Sequence, residues 1–310
     1  MMQNDAHNQI RRKMLAWYRR NGRVLPWRGE TDPYKIFVSE VMLQQTQVAR
    51  VIPFYERFLK HFPTVKALAA APVADVIRLW GGLGYNRRAL YLQKTTQAVV
   101  TRGGWPKSRV GVDNYQPLLA ELESLPGIGP YTSRALAVFS FGARLSVLDV
   151  NVRRWVQRVM FGPEWGSAAQ NDSVLQKAAD ALVPRASYDW NQAIMDFGAA
   201  VCTAKRPACV SCPLAVVCKA RKHMVTGKQG AMTAPLRDRK LSVRFKESQR
   251  YVRGLVLMLL RGRSSLLAPT LLTSLQKRDA AITELRVVKA LTGLAADGLI
   301  RRERGRVRLP

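Results

Sequence analysis

The chain is poor in acidic residues: 21 Asp and Glu stand against 50 Lys and Arg in 310 residues, a formal net charge of +29. Such an excess fits a polyanionic partner, most simply nucleic acid, better than a generally basic surface. Long apolar runs are missing too. GLVLMLL at 254–260 is far too short to span a bilayer and lies between Arg253 and Arg261. The N-terminal MMQNDAHNQIRRKM holds no apolar h-region, so no secretion signal is read and a cytoplasmic, nucleoid-associated location is expected. There is no internal repeat, and nothing looks like a flavin or nicotinamide site. What remains is a chain 47% apolar, enough for a globular protein of two domains and a small third.

Strand signals are also scarce. Apolar residues recur at helical spacing between Pro and Gly punctuation. Asp32-Pro33 reads as an N-cap and first-turn proline opening the helix YKIFVSEVMLQQ. Further helices are expected near 47–62, 64–70, 73–80, 87–102, 115–124, 131–141, 151–161, 172–182 and 190–201, which makes the chain all-α as far as Cys218. From Arg221 to Arg250 nine Lys or Arg meet two Asp or Glu, so 223–250 reads as a basic linker. Beyond it lie GLVLMLLR, ELRVVKALTGLAADGLI and RRERGRVRLP. A helix, a second helix ending at Gly298 and an Arg-rich hairpin turning at Gly305 describe a winged-helix-like tail over 251–310; an ordinary helical tail is the alternative.

Cysteines are few and gathered. Cys202, Cys209, Cys212 and Cys218 all fall in CTAKRPACVSCPLAVVC, spaced C-x6-C-x2-C-x5-C. In a reducing compartment such a group reads as metal ligands, not disulfides. Zinc more often takes two C-x2-C hooks. One hook with a long arm on each side suits a [4Fe–4S] cluster. Lys205, Arg206, Lys219, Arg221 and Lys222 would offset its negative charge. The role expected for it is structural, holding a basic loop.

Two carboxylates stand in unlike settings. One turn from Glu40 lie Ile36, Phe37, Leu43 and Gln44. A carboxylate on that face is costly to ionise and suits a general acid; the alternative is a glutamate at the stripe's edge with its head in water. Asp149 precedes VNVRRWVQRV and reads locally as a helix N-cap. It would equally suit an anion that steadies a cation. One neutral and one charged carboxyl group is the pairing that glycosidic cleavage uses.

LPGIGPYTSRA (125–135) places a Gly-x-Gly turn before a helix, a good phosphate cradle. It lacks the lysine and Ser/Thr of a mononucleotide loop, and its flanks are helical, so a dinucleotide turn fails as well. The phosphate is better read as nucleic-acid backbone, held by the amides around Gly127 and Gly129.

LPWRGETDPYKIFVSEVMLQQTQV (25–48), GGLGYNRRA (81–89), LPGIGPYTSRA, VLDVNVRR (147–154) and the cysteine array resemble, in that order, the helix-hairpin-helix DNA glycosylases of the endonuclease III superfamily. Within it they are similar to the adenine DNA glycosylases, the MutY type, over roughly residues 10–222. The resemblance implies a six-helix hairpin domain (29–140) and a cluster domain made of 1–28 and 141–222, with double-stranded DNA in the cleft between them. It implies that Glu40 protonates adenine mispaired with 8-oxoguanine or guanine. Asp149 would stabilise the sugar cation, with Tyr131 and Asn151 in support. Trp27, Arg28 and Gln192 would line the adenine pocket. Gln45 and Tyr85 would wedge into the stack on the 8-oxoguanine side, and Leu125, Gly127 and Gly129 would meet the DNA backbone. In endonuclease III a lysine stands where this chain has Tyr131, so the resemblance implies a monofunctional enzyme with water as acceptor, acting as a monomer. The chain departs from the family in lacking room for the Nudix-like domain that many members carry, in Val150, and in Asn86 and Arg87. Other readings are a thymine-mismatch or oxidised-pyrimidine glycosylase on the same scaffold, and a non-catalytic DNA-binding protein.

Overall fold

A computed structural model describes residues 2–107, 114–226 and 244–310. Much of the stretch read as a basic linker therefore lies outside the described residues. The helices are α1 (Met2–Asn21), α2 (Pro33–Leu43), α3 (Val48–His61), α4 (Val65–Ala70), α5 (Val73–Leu79) and α6 (Arg87–Thr101). The hairpin pair α7 (Gln116–Glu123) and α8 (Pro130–Phe139) follows, then α9 (Val150–Val156), α10 (Asp172–Ala181), α11 (Ser187–Ala200) and α12 (Arg221–Val225). The tail holds α13 (Gln249–Arg261), β1 (Leu266–Leu267), α14 (Ala268–Gln276), α15 (Glu284–Ala296), β2 (Arg301–Glu303) and β3 (Arg306–Arg308). Among the described residues no helix is long and apolar enough to cross a membrane.

The chain divides into two compact units. One gathers the described parts of 1–33, 106–123 and 128–238; the other gathers those of 34–105, 124–127 and 239–310. In the first unit, α1 packs on α11 and α11 on α9. Its core holds Ile10, Met14, Trp155, Trp190, Ile194 and Phe197, with the Trp155 and Trp190 rings edge to face at 6.1 Å. Arg11 of α1 also caps the end of α10, donating to the Leu182 and Ala181 carbonyls at 2.9 Å.

In the second unit the tail is no appendage. Its apolar core, built on Val256, Leu260, Leu271, Leu291 and Val307, is continuous with Ile77 and Leu90 of α5 and α6. The order helix, strand, two helices, hairpin is that of a winged helix, its three strands antiparallel in the order β1-β3-β2. Gly305 takes a left-handed φ of 73° at the hairpin turn, as its lack of Cβ allows. The tail also contains α14 and β1, which sequence periodicity did not indicate. Pro269 at the helix start and the brevity of both elements hide them. The expected helix at 151–161 changes character midway, from α to a five-residue π turn at Gln157–Phe161.

Candidate active site and nucleic-acid interface

Helix α2 is apolar almost all round, with Tyr34, Ile36, Phe37, Val38, Val41 and Met42 buried. Glu40 is buried with them at 9% exposure, so its head does not sit in open water. The far end of this helix is closed by Arg88 of α6. Its Nη1 donates to the carbonyls of Val41 (2.8 Å), Met42 (3.0 Å) and Gln44 (2.6 Å), and its Nη2 donates to Gly84 (3.1 Å). A guanidinium at a helix C-terminus also meets the negative end of the dipole. Burial lowers the Arg88 pKa to about 10, which leaves it charged at neutral pH. One buried side chain thus fastens the Glu40 helix to the glycine-rich loop before α6. No sequence signal marks Arg88, because its partners at and just beyond the end of α2 lie 44 to 47 residues upstream.

Gln45 and Tyr85 are brought to one place in that unit. Both are exposed and both hold left-handed backbones, at φ 56° and φ 47°. They border a common cavity with Arg88.

In the first unit, α11 presents Tyr188, Gln192 and Asp196 four residues apart, so they share one face. Asp196, only 1% exposed, accepts from Arg28 Nη2 at 2.8 Å and Arg23 Nε at 2.7 Å. Arg28 Nη1 also donates to Tyr18 Oη at 2.8 Å. Tyr188 Oη accepts the Gly29 N–H at 2.8 Å; burial pushes its pKa up. Trp27 and Gln192 are both buried, at 6% exposure each. They lie beneath the surface rather than in the open groove of about 640 Å³ that Tyr18, Gly29 and Tyr188 help to line. Asp196 and Tyr188 were missed by sequence reading, although their spacing about Gln192 was a usable signal.

Asp149 is an N-cap. Its Oδ1 accepts the N–H groups of Asn151 at 2.8 Å and Val152 at 2.7 Å, and its Oδ2 accepts Asn151 Nδ2 at 3.0 Å. Asn151 Oδ1 in turn accepts from Arg154 Nη2 at 2.8 Å, and Arg154 Nε donates to the Cys202 carbonyl at 2.8 Å. Gly198 permits this approach: a Cβ there would stand 2.7 Å from Asn151 Cβ. A hydrogen-bonded chain therefore runs from the carboxylate to the first cysteine.

Tyr131 is half-buried at the second position of α8. Leu125 is buried at 3% exposure, so its side chain anchors the hairpin turn. Gly127 holds φ 83°, and a Cβ there would press on Tyr91 Cβ at 3.0 Å. Gly129 caps α8, with Pro130 at its first position.

All four cysteines are half-buried and border one space with Arg158, Phe197 and Leu214. The π turn puts Arg158 there: its Nη1 lies 3.7 Å from Cys202 Sγ, while Cys218 Sγ is 3.5 Å from the Arg158 carbonyl. Burial raises the thiol pKa values of Cys209 and Cys212, and that of Cys218 to about 11. Among the described residues no three Cys, His, Asp or Glu side chains converge as on a single ion. The four thiols border one cavity.

Residues 38–184 match the family described as HhH-GPD superfamily base excision DNA repair protein. An adenine DNA glycosylase of Mycolicibacterium smegmatis is 35% identical over 291 residues, 93% of this chain and 91% of that one. The human adenine DNA glycosylase is 38% identical over 226 residues, 69% of this chain and 40% of its own length. A Mycobacterium tuberculosis adenine DNA glycosylase is 42% identical over 206 residues, 65% of this chain and 64% of its own. The chain thus spans less than two thirds of the human and M. tuberculosis relatives. Among solved structures, a thermostable thymine-DNA glycosylase superposes at a TM-score of 0.63 with 25% identity, covering 72% of this chain and all of the other. Endonuclease III on DNA superposes at 0.55 with 22% identity, a likeness of fold. By its near full-length likeness to the M. smegmatis protein, the chain belongs to the adenine DNA glycosylase family of the HhH-GPD superfamily.

Proposed function

We propose that the protein is a monofunctional glycosylase that removes adenine paired with 8-oxoguanine or guanine in double-stranded DNA. The likeness over 93% of the chain to an adenine DNA glycosylase carries this reading. Glu40, a carboxyl group confined within an apolar helix, suits the acid that protonates the adenine ring and makes it a neutral leaving group. As the C1′–N9 bond breaks, Asp149 balances the positive sugar, with Asn151 and Tyr131 in support. Water completes the hydrolysis. Tyr131 offers no amine to form a Schiff base with the sugar, which supports base removal without strand cleavage. Trp27, Arg28 and Gln192 would contact the extruded adenine, Gln192 from the face of α11 whose Asp196 holds Arg28. Gln45, Tyr85 and the backbone about Leu125, Gly127 and Gly129 would meet DNA. The enzyme would act as a monomer in the nucleoid.

The four cysteines would hold a [4Fe–4S] cluster. One C-x2-C hook with a long arm on each side, its four thiols bordering one cavity, suits a polynuclear cluster better than one zinc ion. Bound there, the cluster would fix the 202–218 loop against α9 and the π turn.

The superposition on a thymine-DNA glycosylase favours a second reading, thymine removed opposite guanine. Single-turnover assays on duplexes holding A opposite 8-oxoguanine, A opposite G and T opposite G separate the two. Adenine release from the first two, with no borohydride-trapped adduct, is expected. Release from the T·G duplex alone would overturn the adenine reading.

A further inference from the structure

Arg28 is held at both terminal nitrogens of its guanidinium. Nη2 donates to Asp196 Oδ1 of α11 at 2.8 Å, and Nη1 donates to Tyr18 Oη of α1 at 2.8 Å. The side chain is 11% exposed, and its Nε is buried with no acceptor among the described residues. The Asp196 carboxylate does not serve Arg28 alone. The same Oδ1 accepts Arg23 Nε at 2.7 Å and Arg23 Nη2 at 2.6 Å, and Oδ2 accepts the Arg23 backbone N–H at 3.0 Å. Arg23 thus already balances the buried anion, and Arg28 reaches it through one shared oxygen.

A planar group tied at one point still turns about that point, and a second point fixes its plane. Tyr18 supplies the second point. It is half-buried, and burial pushes its phenol above the ordinary range, so at neutral pH it remains a hydroxyl able to accept. Its ring centroid lies 5.9 Å from the Arg28 guanidinium carbon. The two anchors stand on α1 and α11, which pack against each other. A guanidinium carries donors only. Held still, it can meet a bare ring nitrogen but not a ring N–H. An extruded base is read on its Watson–Crick edge, where adenine offers a bare ring nitrogen and guanine, hypoxanthine and thymine carry an N–H. The buried, unspent Nε–H is a donor whose burial goes uncompensated until an acceptor meets it.

We propose that Tyr18 is a positioning residue for base selection: its hydroxyl fixes the Arg28 guanidinium so that its donors favour adenine over bases bearing a ring N–H. The proposal rests on the glycosylase reading above, in which Arg28 contacts the extruded base. The test is single-turnover excision from duplexes holding adenine or hypoxanthine opposite 8-oxoguanine, by wild-type protein, Tyr18→Phe, Arg28→Met and the double variant. Tyr18→Phe removes only the hydroxyl. It should slow adenine excision about tenfold when Arg28 is present, as for a lost hydrogen bond to a charged group. In the Arg28→Met background it should slow adenine excision less than about twofold, because no guanidinium remains to be held. Hypoxanthine excision should change less than about twofold in Tyr18→Phe, so the preference for adenine falls about tenfold. Loss of folded protein would scale both substrates alike and leave that preference unmoved. A Tyr18→Phe effect equal on both bases, or one that persists in Arg28→Met, would overturn the proposal and leave adenine removal standing. A wild-type protein that releases no adenine would overturn both the glycosylase reading and the proposal, before any variant is compared.

Discussion

Each of the two units carries one carboxylate of interest, and each ties that carboxylate's helix to a loop with one arginine. In one, Arg88 joins the end of α2 to the Tyr85 loop. In the other, Arg154 joins the Asp149–Asn151 start of α9 to the cysteine loop. The carboxylates themselves differ. Asp149 is fixed by three hydrogen bonds to its own side chain. Glu40 is confined by the burial of the helix around it. Asp149 is thus fixed to the start of its helix, and Glu40 lies midway along a buried one.

The largest effect that could break this contrast lies at Asp149. Asp149→Ala removes both charge and cap. Asp149→Asn keeps a good N-cap and removes only the charge. Adenine excision should fall by about two to three orders of magnitude in both, while only the alanine variant also loses about 1 kcal/mol of stability. Normal single-turnover rates in Asp149→Asn would reduce the residue to a cap.

Next comes the pair of arginines. Arg88→Met leaves four carbonyls without their donor, two of them buried, and should cost about 3 kcal/mol in denaturant unfolding. Arg154 is less buried, and Arg154→Met should cost about half as much. Equal losses would erase the distinction between the two anchors.

The smallest effect is a pH dependence at the cysteine loop. Its thiols titrate above their ordinary range when buried, Cys218 at about 11. In protein stripped of any metal, folding then favours the neutral thiols. That stability is full below the unfolded thiol pKa and declines as pH rises from about 9 towards 11. With the proposed cluster bound, the thiolates would be committed to metal, and the cysteine share of the decline should vanish. Thermal unfolding across that range, with and without iron, checks it.

What was legible in the sequence follows from how local its cause is. The ends of α3 through α8 and of α10 can be read to within two residues because caps, prolines and apolar spacing sit inside each segment. The cysteine group, Glu40 and the Asp149 cap are legible for the same reason. Arg88 and Asp196 are not. Their meaning lies in carbonyls and guanidinium groups far along the chain, and a charged residue looks the same whether it faces solvent or holds a buried partner. The π turn at Gln157–Phe161 is hidden likewise. It is held by Gln157 Nε2 donating to the Ala168 carbonyl at 2.8 Å and by Arg158 reaching the Thr203 carbonyl at 2.7 Å.

The most direct test of the account is Glu40→Gln, which keeps the shape of the buried side chain and removes its proton. Measured by single-turnover kinetics on a duplex with A opposite 8-oxoguanine, excision should fall about 10³-fold. Affinity for the same duplex should change by less than about threefold, as for a residue whose contribution arises in the transition state. A Glu40→Gln variant that excises adenine at the wild-type rate would contradict it.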